Sequence, residues 1–268
     1  MNANWADALK EFLRHPETYL RLHRLRCPGF LVPDSEVADS AALAAWRGGP
    51  LPRTTSVAMV LALFITLVLA YLAGSLPTGF LVARAMRVDI TRAGSGNIGA
   101  TNVFRVLGKG PGALVLTVDL LKGALAVRFA PALAVALAPA DSLALPALAA
   151  LGAVLGHNYT CWLGFKGGKG VATSAGAMAA LIPPAFGVTV ITWLAVFFLG
   201  RYVSLASIAG AIVLPIATAF TVSGPTRWPL VGFTTVLAAL AVWRHRANIE
   251  RLKAGTEHRF GKPKPSAS

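Results

Sequence analysis

The sequence predicts an all-α, polytopic membrane helix bundle of about seven transmembrane helices. Three observations carry this. Of 268 residues, 55% are hydrophobic and only 13% charged, against about 25% charged in soluble domains. The mean hydropathy is +0.62. From residue 57 onward, apolar runs approach the roughly 20 residues that a bilayer crossing needs, and short loops rich in glycine and basic residues separate them.

Residues 1–56 stand apart as an N-terminal extension, amphipathic or disordered. Trp5, Ala8, Leu9, Phe12 and Leu13 fall at helical spacing, and Pro16-Glu17 opens a second segment carrying Tyr19, Leu22 and Leu25. Cys27 to Thr55 is rich in proline, glycine and small residues and reads as a loose stretch on the membrane surface. The alternative is a start assigned too far upstream, with the working protein beginning near Met59. Spans are expected near 57–77, 112–138, 143–161, 172–183, 184–200, 203–222 and 228–244, followed by a disordered tail at 263–268. Pro183-Pro184 interrupts one continuous apolar run. A proline pair cannot continue an ordinary helix, so that run holds two short helices or one kinked helix.

Charge orients the bundle. Residues 1–56 hold seven Lys/Arg and six acids, whereas the remainder holds 18 basic residues and five acids. Seven spans with a cytoplasmic C-terminus put Arg84, Arg87, Arg92, Arg105, Lys109, Lys166, Lys169, Arg201 and the basic tail on one side. Only Arg227 falls on the other. This arrangement leaves the extension outside. The first span reads as an uncleaved anchor, because no clean small-x-small cleavage site follows it. The formal charge of +14 suits anionic lipid or a phosphorylated substrate. No aromatic-basic signature accompanies it, so nucleic acid is not an expected partner.

Three polar stretches carry the chemistry. The first, Gly94 to Asn102 followed by Arg105, spaces three glycines among Ser95, Asn97, Thr101 and Asn102. Such a loop turns tightly, offers neutral hydrogen-bonding groups and brings a guanidinium for a phosphate: an anion cradle. The second runs from Gly156-His157-Asn158-Tyr159 through Lys166-Gly167-Gly168-Lys169-Gly170 to Thr173. Its glycines are expected to expose N–H groups, its lysines to add charge, and the helix that follows to favour an anion at its N-terminus. Lys169 is followed by Gly170, so the Walker spacing is absent; a phosphate is implied but ATP is not. The third is His245-Arg246-Ala247-Asn248-Ile249-Glu250-Arg251 with Gly255-Thr256-Glu257, a segment that also reads as a basic topology anchor.

Asp119 and Lys122 lie one turn apart inside an apolar span. They form either a structural pair or the lining of a functional cavity. Ser204 and Ser207 open the sixth span, as helix cap or site residues. Cys27 and Cys161 read as isolated thiols, and no nucleophile triad or metal-ligand cluster is present, so neither metal nor cofactor is expected. Together these features point to binding of two phosphorylated groups side by side. The rival reading is an organic-phosphate transporter or channel, which would place its site near the midplane and often shows inverted repeats; no repeat is found.

Gly94–Arg105, Asp119–Gly123, Gly156–Thr173, Ser204–Ile208 and His245–Glu257 resemble, in order, the motifs of the bacterial acyl-phosphate:glycerol-3-phosphate acyltransferases. The resemblance covers about residues 58–262. One departure is Thr160, where the family commonly has proline, which is expected to alter the stiffness of the loop but not its chemistry. The resemblance implies a multi-pass enzyme of the bacterial inner membrane, its transmembrane acyltransferase domain spanning 57–262 and its active site at the cytoplasmic rim. It would work as a monomer among membrane lipids, without cofactor or metal. It would transfer a fatty acyl group from acyl phosphate to the sn-1 hydroxyl of glycerol 3-phosphate, giving lysophosphatidic acid and phosphate, the first step of phospholipid synthesis. By the same resemblance, Gly167, Gly168, Gly170 and Thr173 hold the acyl-phosphate head. Ser95, Arg105, Lys166 or Lys169, Ser204, His245 and Asn248 hold glycerol 3-phosphate, and Asn97, Thr101 and Asn102 line the site. No protein nucleophile is implied. Ser95, Arg105, Lys169, His245 and Asn248 act by positioning.

Overall fold

The computed structural model describes residues 56–138 and 144–261. The expectations for residues 1–55, for the loop around Asp141 and for the tail at 263–268 lie outside the described residues. Every expected span is a helix with nearly the expected ends. Helix α1 (Ser56–Ser75) breaks at Leu76-Pro77 and continues as α2 (Thr78–Ala85). A short α3 (Ala100–Leu107) turns at Gly108 into the long α4 (Lys109–Leu137). Helix α5 (Ala144–Asn158) leads through a 3₁₀ turn at Cys161–Leu163 and a glycine-rich loop to α6 (Val171–Leu181). Then follow α7 (Pro183–Gly200), α8 (Val203–Thr221), α9 (Arg227–Arg244) and α10 (Arg246–Lys253). The proline pair resolves the open alternative in favour of two helices. Ile182 between them leaves the helical region at φ −139° and ψ 69°, and Pro183 and Pro184 open α7, where the missing N–H costs nothing.

Among the described residues, four segments are long and apolar enough to cross a membrane by length and composition: Ser56–Ala85, α4, α7 and α8. Helices α5 and α6, with 15 and 11 residues, are shorter than a full crossing. The bundle is packed inside-out relative to a water-soluble protein. Its buried positions are mostly small, such as Ala62, Ala70, Ala149, Ala153, Ala177 and Ala206, while Phe198, Leu199 and Phe220 are 72%, 84% and 82% exposed. Lipid is as apolar as leucine, so large side chains gain nothing by facing inward, and small ones let backbones approach. The hydroxyls of Thr189, Thr218, Thr221 and Thr234 bond to carbonyls one turn back, so each is satisfied within its own helix.

Two glycine contacts set the architecture around the site. Gly156 of α5 lies against the carbonyl of Tyr71 in α1. Gly123 of α4 and Gly176 of α6 face each other's helices reciprocally, meeting the carbonyls of Thr173 and Leu120. A Cβ at any of these three would overlap backbone, which cannot move aside. Gly176→Val is therefore expected to lower the melting temperature of the detergent-purified protein strongly, by roughly 3 kcal/mol or more of stability. Gly187→Ala on α7, which meets nothing within 4 Å, should leave it unchanged. Equal melting curves for both variants would refute the close α4–α6 contact.

After α10 the chain folds back over the α7–α8 turn. The Phe260 N–H donates to the Arg201 carbonyl at 2.8 Å and Arg259 Nε to the Gly200 carbonyl at 3.1 Å. The Phe260 ring meets Phe197 edge-on at 5.7 Å. This strap carries Glu257 to the start of α8.

Candidate active site

The first loop is built around Asn102. Its Oδ1 accepts the Ser95 N–H at 2.9 Å, and its Nδ2 donates to the carbonyls of Ala93 and Asn97 at 3.0 and 2.9 Å. The side chain is 2% exposed, so Asn102 acts by shaping the loop. The loop reaches this shape because Gly94 and Gly96 adopt φ of +62° and +69°, a region costly for other residues. A Cβ on Gly94 would also strike the Asn102 amide. Asn97 Oδ1 caps the Gly99 N–H at 2.8 Å just before α3. Arg105, one turn into α3, reaches back to Asn102 Oδ1 at 3.5 Å. Ser95 is exposed, and Asn97 and Thr101 are half-buried.

The second loop corrects one expectation. Gly167 and Gly168 do not present their N–H groups to a ligand: these donate to the carbonyls of Asn158 and His157 at 3.2 and 3.0 Å, where α5 ends. A helix C-terminus leaves unpaired carbonyls that the following loop satisfies, and sequence spacing cannot reveal that this loop does so. The available donors lie further on. Ser174 is the first residue of α6 to bond back, to Gly170 at 2.7 Å, which leaves the N–H groups of Val171, Ala172 and Thr173 open at the helix start. Gly170 at φ +73° makes that start possible. Asn158 lies beside it, fully buried, with neither side-chain polar atom partnered among the described residues, and the fully buried Thr173 hydroxyl is likewise unpartnered. Thr160 donates its hydroxyl to the Ser75 carbonyl at 2.5 Å, which ties this loop to α1.

The two lysines have different surroundings. Lys166 is exposed and, with Leu163 and Gly167, faces Thr91, Gly96 and Ile98 across a cleft of 430 Å³. Lys169 turns inward and donates to Asn248 Oδ1. Asn248 in turn donates to Glu257 Oε1 at 2.7 Å. Glu257 also accepts from Ser204 Oγ at 2.9 Å and from Arg251 Nε at 2.7 Å. One carboxylate therefore joins α8, α10 and, through Asn248, the second loop. Burial opposes its charge, but the bonds from Asn248, Arg251 and Ser204 prevail and hold the carboxyl below its ordinary range. Ser204 is thus a network residue and not a helix cap, while Ser207 accepts from Trp193 Nε1 at 3.2 Å away from the network.

Electrostatics follow from this crowding. Burial, with Arg251, Arg105 and Arg244 nearby, lowers the Lys169 ammonium to about 8, although Glu257 partly offsets them. His245, the hinge between α9 and α10, is lowered to about 4 by burial and by the charges of Lys169 and Arg244. It is therefore neutral at pH 7. Its Nδ1 lies 2.8 Å from the Ala241 carbonyl; that nitrogen is accordingly assigned the proton, leaving Nε2 as an acceptor. Glu250, by contrast, is exposed.

Asp119 and Lys122 pair at 2.8 Å, and Lys122 Nζ also donates to the Leu76 carbonyl at the α1–α2 break. His157 Nδ1 lies 3.7 Å from Asp119, with its ring against Gly168. This cluster braces the loop from beneath. Three residues of the network were not among the expected site residues. Arg244 and Arg251 read as topology anchors in the sequence, and Glu257 had no assigned role. The available signal was that Glu257 is one of only five acids after residue 56.

The sequence model of the glycerol-3-phosphate acyltransferase family matches residues 64–255. The chain belongs to that family. A "Glycerol-3-phosphate acyltransferase 2" of Moorella thermoacetica is 48% identical over 198 residues, covering 74% of this chain and 97% of the relative. A glycerol-3-phosphate acyltransferase of Geobacter metallireducens is 49% identical over 191 residues, covering 71% and 94%. Among solved structures, the glycerol 3-phosphate form of PlsY (YgiH), an integral membrane glycerol 3-phosphate acyltransferase, is 42% identical. Its TM-score is 0.65, and the match covers 75% of this chain and 96% of PlsY. The form of the same protein named for lysophosphatidic acid aligns at 0.64. As a member of the family this chain is an acyltransferase and a bacterial membrane protein.

Proposed function

We propose that the chain transfers a fatty acyl group from acyl phosphate to the sn-1 hydroxyl of glycerol 3-phosphate, at the cytoplasmic face of the inner membrane. In this reading residues 57–262 are the working domain, acting as a monomer among membrane lipids with the C-terminus cytoplasmic. Residues 1–56 are dispensable for transfer. The observation that carries it is the gathering of Arg105, Lys169 and Arg251 around the single carboxylate of Glu257, beside the open N-terminus of α6. Three cations against one acid leave a surplus that suits phosphate dianions. All three polar stretches meet at helix ends, where a phosphate sits in water and an alkyl tail in lipid. This favours the enzyme over a transporter, whose site belongs at the midplane.

In the reaction the glycerol oxygen forms the ester bond to the acyl carbonyl carbon. The bond from that carbon to the phosphate oxygen breaks, and the hydroxyl proton leaves with the inorganic phosphate. Acyl phosphate is already activated, so positioning is the main task, worth up to roughly 7–11 kcal/mol in well-oriented systems. The open N–H groups of Val171 to Thr173, with Gly170 and the exposed Lys166, receive the donor phosphate. Ser95, Arg105, Lys169, Ser204 and Asn248 surround the acceptor phosphate. Neutral His245 accepts a hydrogen bond from the glycerol hydroxyl at Nε2 and turns it toward the carbonyl. Lys169 stabilises the developing oxyanion.

Purified protein incubated with palmitoyl phosphate and labelled glycerol 3-phosphate should yield labelled lysophosphatidic acid, and a chain beginning at Met59 should do the same. Arg105→Ala should raise the KM for glycerol 3-phosphate about 10- to 150-fold, equivalent to the roughly 1.5–3 kcal/mol of a charged hydrogen bond. Product from acyl-CoA but not from palmitoyl phosphate would overturn the donor. An unchanged KM would remove Arg105 from the site.

A further inference from the structure

The Gly167-Gly168 peptides are held along both edges. On one edge their N–H groups are taken by the last carbonyls of α5. On the other, Arg244, the last residue of α9, donates from Nη2 to the Gly168 carbonyl at 2.6 Å and to that of Gly167 at 3.2 Å. Its guanidinium lies over the Tyr159 ring at 5.1 Å. Tyr159 is itself tied to α1, its carbonyl accepting the Tyr71 hydroxyl at 2.7 Å. The next residue after these two glycines is Lys169, and α6 begins two residues later.

We propose that Arg244 is a positioning residue that clamps the second loop, fixing the point from which Lys169 and the α6 N-terminus reach substrate. The inference rests on the reading of this loop as a phosphate site and adds a residue that acts through it. One guanidinium nitrogen reaches both carbonyls while the flat group stacks on the Tyr159 ring; a lysine ammonium, on a shorter stem and without a planar face, cannot hold both contacts at once. A role by charge alone would be met equally by lysine. A role by geometry would not.

The clamp is tested in two ways. First, Arg244→Lys should raise the KM for both phosphorylated substrates about tenfold or more, with melting temperature and expression unchanged. Wild-type KM in Arg244→Lys would overturn the clamp and assign Arg244 a purely electrostatic role. Second, hydrogen exchange on the substrate-free protein should show the Gly167 and Gly168 amides losing protection in Arg244→Lys and, to a smaller degree, in Tyr159→Leu, which removes only the stacking surface. Unchanged exchange in both would also overturn it. The exchange arm uses no substrate. An inactive wild type with faster loop exchange in the variants would sink the acyl-phosphate reading while upholding the clamp.

Discussion

Replacing Glu257 with alanine is expected to reduce kcat/KM by more than about 100-fold and to lower the melting temperature as well. The carboxylate accepts three hydrogen bonds, from Ser204, Asn248 and Arg251, and its side chain is 7% exposed. Removing it leaves those donors without an acceptor and leaves Arg105, Lys169 and Arg251 facing one another without a counter-charge. Because Arg251 is 41% exposed, the cost is nearer the roughly 1–3 kcal/mol of orphaned buried donors than that of a fully buried ion pair. Glu257→Gln separates the two effects. Its amide oxygen still serves Ser204 and Asn248, but its NH₂ cannot accept from Arg251, so it should recover much of the stability and only part of the activity. Acid should mimic the alanine variant. A carboxyl held below its ordinary value adds stability that is complete above the usual carboxylate range and disappears as pH falls through the lowered value. Kinetics and thermal melts of the two variants, side by side, check this. Wild-type KM in Glu257→Ala would mean that the network does not shape the site.

Lys169 makes the second large prediction. At about 8, its ammonium is mostly charged at pH 7 and is lost just above. kcat/KM for glycerol 3-phosphate should therefore fall as pH rises through 8, approaching tenfold per unit. Stability should move the other way. Folding lowers this group from an ordinary 10.5, so between about 8 and 10.5 the unfolded chain binds more protons, and the free protein gains stability as pH rises. Lys169→Arg keeps its charge throughout, so the fall near pH 8 should vanish even if the absolute rate is lower. Lys169→Met should lose about 100-fold or more at pH 7 and show no step. A pH profile of Lys169→Arg matching that of the wild type would assign the step to another group.

The helices were legible because lipid imposes one simple requirement. Runs such as 203–222 and 228–244 must satisfy their backbone internally, so length and apolar content alone predict α8 and α9 within a residue or so. The prolines at 183 and 184 likewise act locally, and the break they forced lies where expected. The first loop was equally readable: glycines at 94 and 96 announce the positive φ that the structure contains.

What the residues did not announce depends on partners distant in the chain. Lys169 and Asn248 meet across 79 residues, Ser204 and Glu257 across 53, and Arg244 and Gly168 across 76. Lys166 and Lys169 look interchangeable in the sequence; only the fold makes one an exposed rim and the other the centre of a network. The glycine N–H groups that seemed free were taken by the end of α5. By itself, then, the sequence determined a lipid-embedded helical bundle with glycine-rich, basic polar loops, because hydrophobicity and backbone freedom are properties of single residues and short runs. Tertiary structure alone decided which donors stay open, which lysine turns inward and which acid holds the cations together, because hydrogen bonding and charge depend on what lies within a few ångströms, and chain order does not specify that.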